Sequence, residues 1–241
     1  MSKYGETWLA ELEQESRRKQ DAFMQHIASK LQRPRITERP ARPFQGSPSF
    51  WNETEWDDEK RVEQFSHHFE SVGGHVALVS NEQELRAWIE EKAEELEPKR
   101  IICQDQEELR ALHLEDSIPY AKITFWNTEE GIDKKVLAAE ADIGIVVADG
   151  AAAYTGSVMV KSSKEKGRSV SLLPTVLFLI IPREQIRTRM GELLVELDEQ
   201  GREKLPAGVH FISGPSRSSD IENDLTIGVH GPGIVYAIIL G

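Results

Sequence analysis

The chain of 241 residues is poor in cysteine, in basic residues and in long apolar runs. Its one cysteine, Cys103, cannot form an internal disulfide, and alone it cannot hold a cubane iron–sulfur cluster or a thiolate zinc site. Cys103 lies in a strand-like apolar run, which favours a small buried side chain over a reactive thiol. If the chain works with iron–sulfur clusters, other proteins must hold them.

Basic residues are too few for a polyanion-binding protein. Acidic residues outnumber them by 41 to 29, which gives a formal net charge of −12. Nucleic-acid binding depends on basic patches and counterion release, so the charge argues against nucleic acid and against anionic membrane surfaces. The apolar run of residues 176–181 is too short to span a bilayer, and the N-terminus lacks the apolar core of a signal peptide. The sequence therefore predicts a soluble, cytoplasmic protein without a membrane span.

Several motifs that identify enzymes are also missing. The chain has no G-x-G-x-x-G after its first strand, no G-K-[ST] phosphate loop and no G-x-S-x-G nucleophile elbow. A CoA transferase needs a glutamate nucleophile, and neither Glu140 nor Glu222 is suitably placed. The histidines form no helix-spaced pair and no cluster with acidic residues, so no metal site is predicted. The residues do not support direct catalysis by this chain.

Residues 1–70 are predicted to form a helical N-terminal extension. Apolar residues at helical spacing occur among dense charge over residues 8–31. Residues 33–48 are rich in proline and arginine, which indicates an extended linker. Helical spacing then resumes around Phe65 and Phe69, so we expect a helix that docks on the main domain through its aromatic residues. The alternative is that these apolar side chains serve a partner surface.

Residues 71–241 are predicted to form the main domain. Short apolar strands alternate there with helices, which indicates a three-layer α/β/α domain with a largely parallel sheet. Strands are predicted at 75–79, 101–103, 123–126, 143–147 and 176–181, with two more around 209–211 and 225–229. Helices are predicted at 81–96, where Asn81 and Glu84 form the cap, and at 107–112, 132–139 and 186–203.

A ligand site is predicted at the carboxyl ends of the parallel strands, where open α/β sheets bind ligands. Three segments are expected to converge there with hydroxyls, backbone N–H groups and two arginines, which suit a carboxylate or phosphate. The candidate ligand-binding residues are Asp149, Thr155, Gly156, Ser157, Arg168, Ser213, Gly214, Ser216, Arg217, Asp220 and His230. Gly156 also indicates a bend where a ligand or another backbone approaches. The alternative is that the two arginines only neutralise Asp149 and Asp220.

The C-terminal candidates carry two further predictions. Residues 219–222 have the S-x-x-E form of a capping box, which predicts a helix start with Arg217 just before it. His230 follows an apolar strand and is a candidate catalytic residue for proton transfer near neutral pH. It could equally hold the terminal hairpin through a hydrogen bond to a backbone carbonyl.

Three segments resemble the LUD-domain family, of the lactate utilization protein C type. They are residues 141–160, 167–175 and 213–232, the last containing SGPSRSSDIE and LTIGVHGP. The resemblance implies the NagB/RpiA/CoA-transferase-like fold, which sugar-phosphate isomerases, CoA transferases and 5-formyltetrahydrofolate cyclo-ligases share. One position departs from the family pattern, because Tyr154 stands where members commonly carry an acidic residue.

The resemblance also implies a role in L-lactate degradation. In that family a three-protein system oxidises L-lactate to pyruvate for growth, and the partner proteins carry the iron–sulfur clusters. This chain would then be a cluster-free subunit or accessory with no cofactor of its own. One alternative is a stand-alone enzyme that acts on an anionic small molecule, such as a sugar phosphate or a folate-like substrate. Another is an interaction protein whose ligand site is vestigial.

Overall fold

The computed structural model describes residues 3–38, 55–127, 133–219 and 225–241. It divides the chain into two compact units, residues 1–53 and 54–241.

The first unit contains one long helix, α1 (Lys3–Lys30). This helix confirms the helical prediction for residues 8–31. Arg17 pairs with Glu13 one turn away, as expected for an exposed charged helix. Residues 33–38 have no regular helix or strand, and the rest of the predicted linker lies outside the described residues.

The second unit alternates strands and helices. Its helices are α2 (Asp58–Ser71), α3 (Glu82–Leu96), α4 (Glu107–Arg110), α5 (Leu114–Ser117), α6 (Lys134–Ala139), α7 (Ser169–Leu172) and α8 (Met190–Gln200). Its strands are β1 (His75–Val79), β2 (Arg100–Cys103), β3 (Lys122–Phe125), β4 (Ile143–Val147), β5 (Gly150–Ala152), β6 (Ser157–Lys161), β7 (Val176–Pro182), β8 (Ile186–Arg187), β9 (Val209–Ile212), β10 (Arg217–Ser219), β11 (Leu225–Ile227) and β12 (Ile234–Leu240).

A six-stranded parallel sheet in the order β1-β12-β7-β4-β2-β3 forms the centre of this unit. Strands β8, β5, β6 and β9 form a second sheet, and β10 pairs with β11. The predicted α/β fold with a largely parallel sheet is confirmed.

The central strands divide their side chains between two core clusters. Leu179 packs on one face with α2, α6, α7 and the second sheet, whereas Phe178 packs on the other with α3, α4 and α5. Successive residues of a strand point to opposite faces, so a strand covered on both sides needs an unbroken apolar run. This requirement explains the apolar runs in β4 and β7. Because the second sheet packs on one face of the central sheet, the outer layer on that face consists partly of strands.

Helix α2 packs on the rest of the second unit through two stacked aromatic rings. Phe65 and Phe69 are fully buried in the first core cluster, and their ring centroids lie 5.4 Å apart. Asp57 caps the helix by accepting a hydrogen bond from the Lys60 backbone N–H at 2.8 Å. These contacts confirm the expected docking of the aromatic residues.

Two predicted boundaries differ from the structure. The segment 186–203 begins as strand β8, and helix α8 starts only at Met190. The last strand is β12, which the sequence analysis missed because it ended the final strand at Val229. The backbone bends at Gly228, whose φ of +77° ends the ladder that β11 forms with β10.

Candidate functional site

The predicted ligand-binding residues fall into two groups at opposite ends of the strands. Asp149 follows the carboxyl end of β4, and Arg168 lies in the loop after β6. Ser157 begins β6 at the far end of its hairpin, where its hydroxyl lies 2.7 Å from that of Ser213. His230 lies just before β12, at the amino end of the parallel strands. The expectation of one converging site is therefore corrected to two separate groups.

We call the first group the carboxyl-edge cluster. It comprises Gln104, Asp149, Lys166, Arg168, Ser171 and His210. Asp149 is the charged anchor of this cluster, because its carboxylate accepts hydrogen bonds from the Lys161 backbone N–H at 2.8 Å and from Lys166 Nζ at 2.6 Å. The side chains of Asp149 and Lys166 are only 18% and 16% exposed. The pair therefore fixes the loop after β6 over the end of β4.

His210 points from the second sheet toward α7. Its neighbours Val209 and Phe211 pack on the opposite face, in a cluster with α8. The ring Nε2 lies 2.8 Å from the hydroxyl of Ser171, and that hydroxyl donates to the Arg168 carbonyl at 3.1 Å. A hydroxyl that donates to the Arg168 carbonyl can accept from Nε2, so we assign the ring proton to Nε2, the tautomer that satisfies both bonds together. Nδ1 is then a bare acceptor, and it is buried without a partner among the described residues.

Burial lowers the pKa of His210, and the nearby Arg168 guanidinium lowers it further, while the Asp149 carboxylate opposes both. The imidazole is therefore neutral at pH 7. It can accept a proton or a hydrogen bond at Nδ1.

We expect His210 to make the protein less stable in acid. The unfolded chain takes up a proton near the ordinary pKa of 6.5, whereas the folded chain resists protonation to a lower pH. The free energy of unfolding should therefore decline as the pH falls from 6.5 to the lowered pKa, and it should level off below it. Urea denaturation across this range should show a weaker pH dependence in His210→Gln. The exposed His67→Ala serves as the control and should keep the wild-type dependence, and an unchanged slope in His210→Gln would contradict the assignment.

Gln104 is the buried amide of the cluster. It follows β2, and its backbone N–H continues the ladder to the Ile145 carbonyl at 3.1 Å. The next residue, Asp105, donates its backbone N–H to the Glu165 carbonyl at 2.9 Å, which brings the loop after β6 over this strand end. Gln104 is fully buried, and neither its Oε1 nor its Nε2 has a partner in the described part of the chain.

Sequence reasoning missed four members of this cluster: Gln104, Lys166, Ser171 and His210. A signal existed for His210, because the alternation of Val209 and Phe211 turns it to the opposite face of the strand. No local pattern pointed to Ser171, which lies 39 residues before its partner His210 in the chain. The cluster combines two cations, the Asp149 carboxylate, a neutral imidazole and an amide, which are groups that suit hydrogen bonding to a small anion.

The second group surrounds the amino ends of β1 and β12. Arg217 donates to the Val72 carbonyl just before β1, and Gly214 lies against the side chain of Val72. Ser216 donates its backbone N–H to the Pro232 carbonyl at 2.8 Å. Arg217 therefore has a structural partner in a backbone carbonyl.

The predicted capping box lies only partly within the described residues, so its helix start stays a prediction. Arg217 and Ser219 lie in β10 and pair with β11. Asp220 and the rest of the motif lie outside the described residues, and its ligand-binding role stays a prediction.

His230 lies in a cleft of about 630 Å³. The lining residues are Leu172, Leu173, Thr175, Gly228, Val229, His230, Gly231 and Gly233. Thr175 and Gly233 immediately precede β7 and β12, so this cleft opens at the amino edge of the sheet. His230 is exposed there, away from the carboxyl-edge cluster.

Residues 155–157 form a packing contact. Gly156 has a φ of +55°, and a Cβ at this position would lie 2.7 Å from the backbone nitrogen of Phe69 in α2. The bend predicted there is confirmed, and the approaching backbone is that of α2. Thr155 is exposed beside it, and Tyr154 stacks on Trp56 with 5.9 Å between ring centroids.

No group of three or more metal-ligating side chains occurs within residues 3–38, 55–127, 133–219 and 225–241. Cys103 is fully buried in the second core cluster, and burial raises the pKa of its thiol. None of the described helices has the length and the apolar sequence to cross a bilayer.

Comparison with known proteins gives consistent matches. A family model described as LUD domain matches residues 62–240. Lactate utilization protein C of Halalkalibacterium halodurans is 33% identical over 217 residues, which cover 89% of this chain and 94% of that protein. Lactate utilization protein C of Oceanobacillus iheyensis is 30% identical over 228 residues, which cover 91% and 97%. The crystal structure of a DUF162 family protein from Deinococcus radiodurans matches with a TM-score of 0.55 at 18% identity, covering 77% of this chain and 99% of that one, and this likeness concerns the fold alone.

Proposed function

This chain belongs to the LUD domain family, and from that membership we propose that it acts in lactate utilization, in the oxidation of L-lactate to pyruvate for growth. The observation that carries this proposal is the extent of the match. Relatives called lactate utilization protein C align over about nine tenths of both chains, so the likeness covers more than one shared domain. We also propose a cytoplasmic location.

Within this system we propose that the chain is a cluster-free component, and that partner proteins hold iron–sulfur clusters. The donor set of the chain supports this division of roles. A cubane cluster needs four thiolates, whereas this chain has one cysteine, and Cys103 is buried in the core.

The contribution of this chain is to bind an anionic small molecule at the carboxyl-edge cluster. Arg168 is exposed at the surface of the cluster, where an anion can reach it from solvent. The neutral ring of His210 contributes a buried Nδ1 that has no partner among the described residues. A cation and an unpartnered acceptor suit a ligand that carries both a negative charge and a polar group.

Deletion of the gene in its native host tests the proposal. We expect the deletion strain to lose growth on L-lactate as sole carbon source and to grow normally on pyruvate, with growth on lactate restored by the wild-type gene. Pyruvate is the matched control, because it enters metabolism after the proposed oxidation. Retained growth of the deletion strain on L-lactate would overturn the proposal.

Recovery of the tagged protein from lactate-grown cells tests its place in the system. Co-purification with iron-containing proteins and with lactate-oxidising activity is expected for a subunit. A protein recovered alone, without iron or activity, would contradict the subunit role and favour a transient accessory.

A further inference from the structure

Three buried side-chain atoms of the carboxyl-edge cluster lack a hydrogen-bond partner among the described residues. They are Oε1 and Nε2 of Gln104 and Nδ1 of His210. A buried polar atom without a partner costs about 1–3 kcal/mol, so proteins rarely keep several of them in one region. These atoms therefore indicate a place where a ligand completes the hydrogen bonds.

The unpaired atoms face the same layer of the domain. Gln104 extends β2 by one residue and shares the face of Ile102, whose side chain packs in the first core cluster. His210 faces this layer from the second sheet through its bond to Ser171 in α7. Helix α7 lies directly against β4, the neighbour of β2. The contact is so close that a Cβ at Gly144 in β4 would clash with the Val170 carbonyl in α7.

The charges around these atoms favour a monoanion. Asp149 contributes one negative charge, while Lys166 and Arg168 contribute two positive charges, and His210 is neutral. The cluster therefore carries a net charge of about +1. Lys166 is already paired with Asp149, so Arg168 is the cation left to meet a carboxylate.

The unpaired atoms also indicate which functional group the ligand carries besides its carboxylate. Nδ1 of neutral His210 accepts but cannot donate, so its partner must carry a hydrogen, as a hydroxyl does. The Gln104 amide both donates and accepts, which suits the oxygen of the same hydroxyl or of the carboxylate. A simple carboxylate would satisfy Arg168 and leave Nδ1 unpaired.

We propose that the carboxyl-edge cluster binds a small hydroxycarboxylate, with its carboxylate on Arg168 and its hydroxyl donating to Nδ1 of His210. This inference deepens the proposed function and rests on it for the choice of L-lactate as the first probe. His210 is thereby the residue that distinguishes a hydroxy acid from an acid without the hydroxyl.

Calorimetric titration of the purified full-length protein near neutral pH tests the inference. L-lactate should bind at least about ten-fold more tightly than propionate, which has the same carbon skeleton without the hydroxyl, since a site built to pair a hydroxyl rejects an analogue that lacks it. His210→Phe should bind the two acids equally, and Arg168→Gln should weaken both by a similar factor. His67→Ala, an exposed histidine of α2, is the control and should keep the wild-type preference.

A measurement on the wild-type protein covers the case in which His210→Phe fails to fold. Nitrogen NMR of the ring should show Nδ1 shifting on addition of L-lactate and not on addition of propionate. Equal affinity for the two acids, preference retained by folded His210→Phe, or equal competition by inorganic phosphate would overturn the inference.

The two proposals can fail separately. If the deletion strain cannot grow on L-lactate but the protein binds neither acid, the ligand assignment is overturned and the proposed function stands. If the protein prefers L-lactate through His210 but the deletion strain grows normally on it, the hydroxycarboxylate site stands and the proposed function is overturned.

Discussion

Replacing Phe69 by alanine is expected to lower the free energy of unfolding by about 3–5 kcal/mol, the usual cost of removing a fully buried phenylalanine. The ring is completely buried, stacks on Phe65 at 5.4 Å and belongs to the core cluster that joins α2 to the second sheet. Typical domains have 5–15 kcal/mol of stability, so the loss would be a large share of the total. Urea denaturation with a shared m-value measures it.

The matched control is Phe23→Ala. Phe23 is 64% exposed in α1, so the same substitution there should change the free energy of unfolding by less than about 0.5 kcal/mol. A loss at Phe69 as small as that at Phe23 would show that α2 does not contribute to the core.

The elements that were predicted best are those set by local chemistry. The cap of α3 is an example, because the Glu84 backbone N–H donates to the Asn81 side chain and the Glu84 carboxylate accepts from the Ser80 backbone N–H, both at 2.9 Å. Strands β1 and β4 match their predicted bounds for a related reason. Their unbroken or nearly unbroken apolar runs end at polar or small residues, which fixes both type and length.

The elements that were missed depend on contacts distant in sequence. Strand β12 pairs with β1 and with β7, which precede it by about 160 and 60 residues, so its place between those two strands depends on partners that no local pattern identifies. The division of the site has a similar cause. The sequence shows a bend at Gly156 but not its direction, and the antiparallel return of β5 into β6 carries residues 155–157 away from Asp149.

The sequence showed the cations of the site better than its buried acceptors. Arg168 and Arg217 stand next to glycine or serine in the sequence, and Asp149 directly follows a predicted strand, so local patterns are enough to propose these three residues. The role of His210 depends on the Ser171 hydroxyl, and that of Gln104 depends on the loop at Glu165, so both require the tertiary structure. The neutral state of His210 also arises from burial, which no sequence pattern reports.

Replacing Asp149 by alanine is expected to cost about 2–4 kcal/mol, because it leaves the largely buried ammonium of Lys166 and the Lys161 backbone N–H without their partner. Asp149→Asn should cost less than Asp149→Ala, since its amide oxygen still accepts from Lys161 while the charge on Lys166 stays uncompensated. Urea denaturation of both variants measures the two contributions.

The control for Asp149 is Glu63→Ala, which breaks an exposed pair with Lys60 and should cost less than about 1 kcal/mol. Asp149 also bears on the ligand, because its carboxylate offsets one cation of the cluster. A folded Asp149→Asn protein should therefore bind a monocarboxylate at least as tightly as the wild type, although it is less stable. Weaker binding by a folded Asp149→Asn would show that Asp149 holds Arg168 and His210 in place, so that its charge acts through position.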